Sequence, residues 1–135
     1  MSRENVEAFE RGLGAGNRGD VEGLLEVLDA EVAWHSALYA LLGGEAIVYR
    51  GHEGVREFLR DLDEAFSEGH IAIREIRDLG DRLLAEGSWL LRGKESGAQT
   101  EASLSFLMDF ESGKVSRAVT YLDRSEALEA AGLSE

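Results

Sequence analysis

Asn17-Arg18-Gly19-Asp20 and Tyr49-Arg50-Gly51-His52-Glu53-Gly54 each join a glycine-bearing reversal to the start of a helix, and together they order the chain. Ahead of the first motif, Val6, Phe9, Leu13 and Gly16 recur at helical spacing, which predicts a helix from about Asn5 to Gly16. Gly12, Gly14 and Gly16 weaken its end, at about 1 kcal/mol each against alanine, so this helix must pack closely on something. Asp20 is a good N-cap for a second helix carrying Val21, Leu24, Leu25 and Leu28. Val32 to Ser36 then alternates as a strand, and Ala46 to Arg50 reads as another. Between them Ala37 to Glu45 forms a loop too apolar for open solvent, which places it over something apolar. The second motif opens a third helix from about His52 to Glu68, with Val55, Phe58, Leu59, Leu62 and Phe66 as its buried stripe. Arg56, Glu57, Arg60, Asp61 and Glu64 set opposite charges three or four apart on the other face, the pattern of a solvated, self-paired surface.

After Gly69 the apolar period changes to two. Four strands are predicted, Ile71 to Asp78, Arg82 to Arg92, Thr100 to Glu111 and Val115 to Leu122. Asp78-Leu79-Gly80-Asp81, Gly93-Lys94-Glu95-Ser96-Gly97 and Glu111-Ser112-Gly113-Lys114 supply the hairpin turns. Strands of this length beside helical stripes predict an α+β domain in which a bent sheet wraps the helices. A last short helix starts near Asp123, where Asp123 and Glu126 have capping-box spacing. No repeat or linker interrupts the chain, so residues 1–135 read as a single domain.

The chain has 27 acidic and 14 basic residues, a net charge of -13, and that field repels phosphate backbones and anionic lipid. No nucleic-acid partner and no membrane are expected. There is no apolar run of spanning length, and the first residues lead into an acidic amphipathic helix rather than a signal peptide. Cysteine is absent, which removes disulfide and thiolate chemistry and suits a cytoplasmic protein. Proline is absent too, where average usage of about 5% predicts roughly seven. That is compatible with an Ala/Leu/Glu-rich natural style or with a redesigned scaffold.

Taken in order, Asn17-Arg18-Gly19-Asp20, Asp29-Ala30-Glu31-Val32-Ala33-Trp34, Tyr49 to Val55, Asp78 to Arg82, Gly113-Lys114-Val115 and Tyr121-Leu122-Asp123 resemble the nuclear transport factor 2-like superfamily and its SnoaL-like (polyketide cyclase/ketosteroid isomerase-like) branch. The resemblance covers nearly the whole chain, although many relatives carry proline where Ala30 stands. It implies a cystatin-like cone, a curved antiparallel sheet around N-terminal helices, with a pocket at the open end. It does not imply one function, because the superfamily holds isomerases, dehydratases, epoxide hydrolases, polyketide cyclases and non-catalytic carriers. In ketosteroid isomerases a carboxylate base follows the first strand, and a tyrosine and a neutral acid bind the oxyanion. Carried over, those positions fall at Ser36, near Gly12 and at Phe106, none of which can do that work. The Arg-x-Asp pair and second Asp of limonene epoxide hydrolases fall near Gly87, Trp89 and Thr120, so that set is missing as well.

What remains for a pocket is apolar and aromatic. If Ser36 and Phe106 face inward, the strand period also points Trp34, Leu104, Met108, Ala118 and Thr120 there. Trp89 joins them, with Phe58, Leu62 and Phe66 from the third helix. Tyr39 and Tyr49 are candidate hydroxyl donors at the mouth, or else aromatics buried with a satisfied hydroxyl. The ligand-binding candidates are therefore Trp34, Ser36, Tyr39, Phe58, Leu62, Trp89, Leu104, Phe106, Met108 and Thr120. The same side chains could equally fill the cone as packing. The catalytic candidates are His35 and Tyr49. His35 sits near where relatives place their base and has a suitable ordinary pKa of about 6.5, yet alternation points it away from Trp34 and Ser36. His52 reads as support for the third helix and His70 as surface. The scattered histidines make no metal-ligand spacing, and no metal or cofactor is expected.

Three functions fit these residues. The first is a SnoaL-like enzyme moving a proton on a hydrophobic, cyclic or carbonyl-bearing small molecule without a cofactor, as an isomerase, cyclase or lyase. The second is a non-catalytic pocket protein for an apolar ligand. The third is a structural dimer or engineered scaffold. Glu101, Ser103, Ser105, Leu107 and Asp109 alternate with the inward set, and Leu107 on that outer face predicts a homodimer through the sheet.

Overall fold

A computed structural model describes residues 2–37, 44–45 and 47–133. The first helix, α1 (Ser2–Asn17), turns at Gly19 into α2 (Val21–Glu26), whose Asp20 cap accepts from the Gly23 N–H at 2.9 Å. The seam of α1 on the rest of the chain is Ala8, Gly12 and Ala15, set beside the predicted Phe9 and Leu13 stripe. A Cβ on Gly12 would stand 2.8 Å from Val27 Cγ2, so the missing side chain is what lets α1 lie against the end of α2. Close packing offsets the helix cost of that glycine.

α2 is shorter than the sequence pattern, ending before Leu28. Val27 caps it, and the Val115 N–H donates to the Val27 carbonyl at 2.9 Å, drawing the chain into β1 (Leu28–Ser36). After β2 (Ile47–Arg50), Gly51 takes a φ of +69°, a left-handed turn that glycine adopts without strain, and opens α3 (Gly51–Ala65). This helix stops short of the expected Glu68. Phe66 instead begins β3 (Phe66–Asp78), because its hairpin with β4 (Arg82–Gly93) pairs as far as Phe66 with Gly93. β5 (Gln99–Glu111) and β6 (Lys114–Tyr121) complete the sheet, joined by Ser112 and Gly113, both at positive φ, as a two-residue hairpin requires.

The six strands lie in the order β2-β1-β6-β5-β4-β3. Neighbours are antiparallel except β1 and β6, which run parallel. Register offsets within β3 and between β5 and β6 mark where the sheet bends. Its concave face carries Trp34, Leu83, Trp89, Leu104, Phe106 and Ala118, packed with α1, α2 and α3. The convex face has its own smaller cluster, in which Leu84 and Leu107 meet Ala127 and Leu128 of α4 (Arg124–Ala130). The cap of α4 is Asp123 accepting from the Ser125 N–H at 2.8 Å, rather than a capping box with Glu126.

This last helix corrects the reading of the outer face. Leu107 is only 3% exposed, covered within its own chain, and helices lie on both faces of the sheet. The residue that argued for a sheet-to-sheet homodimer therefore gives no reason for one.

Candidate functional site

Between the concave face and the helices lies a cavity of about 520 Å³. The sheet contributes Trp34 and Ser36 from β1, Trp89 from β4, Leu104, Phe106 and Met108 from β5, and Thr120 from β6. Strand alternation places them on one face: Trp34 pairs with Ala118, Ala118 with Met108, and Thr120 with Phe106. Helix α3 adds Phe58 and Leu62. The Phe58 ring leans on Trp34 with centroids 5.6 Å apart, and Phe9 of α1 meets Phe106 edge-on at 5.9 Å.

Polar groups on the wall are few and mostly spent on holding it. The Thr120 hydroxyl accepts from the Ala37 N–H at 2.8 Å and donates to the His35 carbonyl at 3.2 Å, fastening the end of β1 to β6. The Asn17 amide uses both ends on the Ile71 backbone, each at 2.9 Å, tying α1 to β3. Ser36 is buried and partnered. The charged lining residues, Asp20, Arg56, Arg60, Asp63 and Glu68, are exposed or half-exposed. They rim the cavity where the α1–α2 turn, the later part of α3 and the start of β3 meet.

Nine of the ten ligand-binding candidates line this cavity: Trp34, Ser36, Phe58, Leu62, Trp89, Leu104, Phe106, Met108 and Thr120. Tyr39 lies outside the described residues. The two catalytic candidates are not brought to it. His35 follows the strand period onto the convex face, opposite Val48 and Val119. Burial, helped by the nearby Arg117 and Arg50 cations, lowers its pKa below the ordinary 6.5. Tyr49 packs against Phe58 with centroids 5.5 Å apart and donates its hydroxyl to Asp61 Oδ2 at 2.7 Å, a buried aromatic with a satisfied polar end. His52 Nε2 donates to the Leu28 carbonyl at 3.0 Å, pinning α3 to β1, and His70 is exposed.

The cavity also uses residues that the sequence reading assigned to packing. Phe9, Leu13 and Gly16 of α1 and Leu24 of α2 line it. Their signal was the helical stripe itself, which faces the cavity while the small-residue seam beside it makes the contact with α2. The three positions that resemblance aligned with the ketosteroid isomerase set, Gly12, Ser36 and Phe106, all touch this space, and none carries an ionisable group.

An α+β cone with an apolar cavity between its helices and curved sheet is the class these features define. A family model for the SnoaL-like domain matches residues 6–118, and the chain belongs to that family. Among solved structures it is similar to an NTF2-like protein of unknown function from Burkholderia pseudomallei K96243, at 21% identity over 93% of this chain and 95% of that one, with a TM-score of 0.79. It is similar to TerC, co-crystallised with polyporic acid, at 24% identity over 89% and 92% with a TM-score of 0.78. An LEH-like epoxide hydrolase of M. tuberculosis aligns at 18% identity over 90% and 84%, TM-score 0.71. At these identities the likeness shows a shared fold. No curated protein matches the sequence. Among the described residues no helix is long and apolar enough to cross a membrane.

Proposed function

We propose that this protein binds a hydrophobic, cyclic or carbonyl-bearing small molecule in the cavity beneath Trp34, Phe106 and α3. The observation that carries the reading is the cavity itself: about 520 Å³ of space walled by aromatic and aliphatic side chains, with its charged residues confined to the rim. That size suits a drug-sized ligand. Burial at about 25 cal/mol per Å² of apolar surface supplies several kcal/mol before association costs, enough for micromolar affinity. The net charge of -13 disfavours polyanions such as nucleotides, so uncharged or weakly acidic molecules fit best. A cysteine-free, acidic chain of this kind suits the cytoplasm.

Holding the ligand is favoured over proton transfer by one feature. Among the described residues no carboxylate or histidine stands in the apolar interior, and the cavity's acids lie on the exposed or half-exposed rim. The test is titration with polycyclic ketones, apolar aromatics and polyporic acid, followed by tryptophan emission and melting temperature. Trp34 and Trp89 are the only tryptophans and both line the cavity, so occupancy is read directly. If no compound moves either signal, the reading fails.

A further inference from the structure

A row of charge crosses the convex face from strand to strand. Arg50 of β2 stands opposite Ala33 of β1, Ala33 opposite Arg117 of β6, Arg117 opposite Asp109 of β5, and Asp109 opposite Arg82 of β4. Each is next in sequence to a core residue of the concave face (Tyr49, Trp34, Ala118, Met108 or Leu83), so strand alternation turns the whole row away from the cavity. Its charges do not balance. Asp109 Oδ1 is held by Arg82 Nε at 2.8 Å, and Arg117 comes only within 3.9 Å of Oδ2. Among the described residues, the Arg50 side chain makes no hydrogen bond or ion pair. Three arginines thus share one carboxylate, a local excess of positive charge on a chain whose net charge is -13.

The next row continues the patch. Val48, His35 and Val119 lie side by side on β2, β1 and β6, while Leu107 and Leu84 beyond them are covered by α4. Val48 is 40% exposed, His35 and Val119 are half-buried, and Arg50 and Arg117 are exposed, so a partner can reach all five. His35 reports the imbalance: after burial, the Arg117 and Arg50 cations hold its pKa down. The other ionisable groups on the strands around it are Glu31 of β1, Tyr121 of β6 and Asp109 of β5.

We propose that this half of the convex face docks an acidic peptide segment of a partner protein. Its carboxylates lie between Arg50 and Arg117 over Ala33, and its apolar side chains rest on Val48 and Val119. Neighbouring strands stand about 4.8 Å apart, so the two arginines rise roughly 10 Å apart on either side of small Ala33. Each presents a fork of donors that matches a carboxylate. A small anion on an open sheet would gain little from exposed pairs, whereas a peptide adds apolar contact to the same charges. A segment with a few carboxylates also meets far less of the chain's negative field than a nucleic acid or a second copy does.

The probe is an acetylated, amidated pentapeptide of alternating glutamate and valine, with its glutamine counterpart as control. Binding is followed by ¹H–¹⁵N correlation at pH 7, and the His35 imidazole is titrated with and without peptide. The glutamate peptide should shift amides of β2, β1 and β6 around Ala33, His35 and Arg117, and bind more tightly than the glutamine peptide. Arg50→Gln and Arg117→Gln should each weaken it about threefold, and Arg74→Gln, exposed on β3, should not. Bound carboxylates should raise the His35 pKa, which a merely structural role of the arginines would not do. No shifts at millimolar peptide, shifts scattered over the surface, or equal binding of the glutamine peptide would overturn the proposal. Concentration-dependent shifts of the same amides without peptide, with a dimer in sedimentation, would make a second copy the occupant and overturn it as well. The comparison of the two peptides on the wild type needs no variant to fold.

Discussion

Arg124 Nε donates to Glu86 Oε2 at 2.7 Å, across the convex face of the sheet from the cavity. Glu86 is 3% exposed, and Arg124 is the first residue of α4, so this pair fixes the helix that covers Leu84 and Leu107. Removing one partner of a buried pair strands the other charge. Because the Arg124 side chain is 37% exposed, Arg124→Gln is expected to cost about 2 kcal/mol, below the fully buried range. Replacing both partners, as Glu86→Leu with Arg124→Met, should recover most of that loss, since apolar packing can stand in for a buried pair. Denaturant unfolding of the three variants measures this; a double variant no better than the single one contradicts it. Truncation after Asp123 should uncover Leu84 and Leu107 and produce self-association in sedimentation, where the full chain shows less.

Two glycines of α1 should respond to alanine in opposite directions. A Cβ on Gly16 meets nothing within 4 Å, so Gly16→Ala is expected to stabilise by about 0.5 kcal/mol through helix propensity and a restricted unfolded chain. At Gly12 the new methyl would press on Val27, which is buried and short-branched, and Gly12→Ala should lower the melting temperature. Equal gains at both sites would show that α1 and α2 are not held as closely as the 2.8 Å approach implies.

His35 makes stability depend on pH. Its folded pKa is lowered, first by burial and then by Arg117 and Arg50, so the unfolded chain binds the proton more readily. The associated stability is present above the unfolded value of about 6.5 and is lost as pH falls through the lower folded value. Arg117, held loosely by Asp109 at 3.9 Å, can be neutralised to test the cause. Arg117→Gln should raise the His35 pKa in imidazole NMR titration, and His35→Gln should flatten the fall in melting temperature between pH 7 and 5. An unchanged His35 titration in Arg117→Gln would refute the electrostatic part.

The positions that the family resemblance implies for isomerase and epoxide-hydrolase chemistry lead to an expectation about activity. On the correspondence the resemblance implies, the isomerase base and acid fall at Ser36 and Phe106 and the water-activating set near Gly87, Trp89 and Thr120, and none of these five residues is an acid or a base. A general base alone is worth about 10²–10⁴-fold. Allylic steroid isomerisation and limonene-type epoxide hydrolysis are therefore expected near background, measured by absorbance and by product chromatography. Strong turnover of either would show that the residue correspondence is shifted.

The sheet's concave face was legible once the resemblance turned Ser36 and Phe106 inward, because a strand has a fixed period of two and Trp34, Leu104, Met108, Ala118 and Thr120 then follow. The same rule sent His35 outward, against its attraction as a base. Helix geometry was less forgiving. The stripe of Phe9 and Leu13 was visible, but whether it met a neighbour or an open space depended on Gly12 finding Val27. Phe66 matched the α3 stripe, and only pairing with Gly93 across the hairpin made it a strand residue. Leu107 looked unpartnered because its cover, Ala127 and Leu128, comes from a seven-residue helix whose docking site is a tertiary fact. The parallel junction of β1 and β6 was likewise set by the chain's return and not by any local pattern.

If the cavity is a binding space and not a packing fault, filling it should cost affinity without costing the fold. Leu62 lines the cavity and is half-buried on α3, so a larger side chain there can extend into existing space. Leu62→Trp is expected to keep the melting temperature within a few degrees of the wild type or raise it, because added apolar contact replaces empty volume. Phe106→Ala acts in the other direction, enlarging the space and removing the edge contact with Phe9, at about 3 kcal/mol. Ligand-induced shifts in melting temperature separate the two effects. Loss of the shift in a stable Leu62→Trp protein marks a blocked site. Marked destabilisation of Leu62→Trp would mean the wall is already close-packed there, and that α3 closes onto the sheet with no room for a ligand.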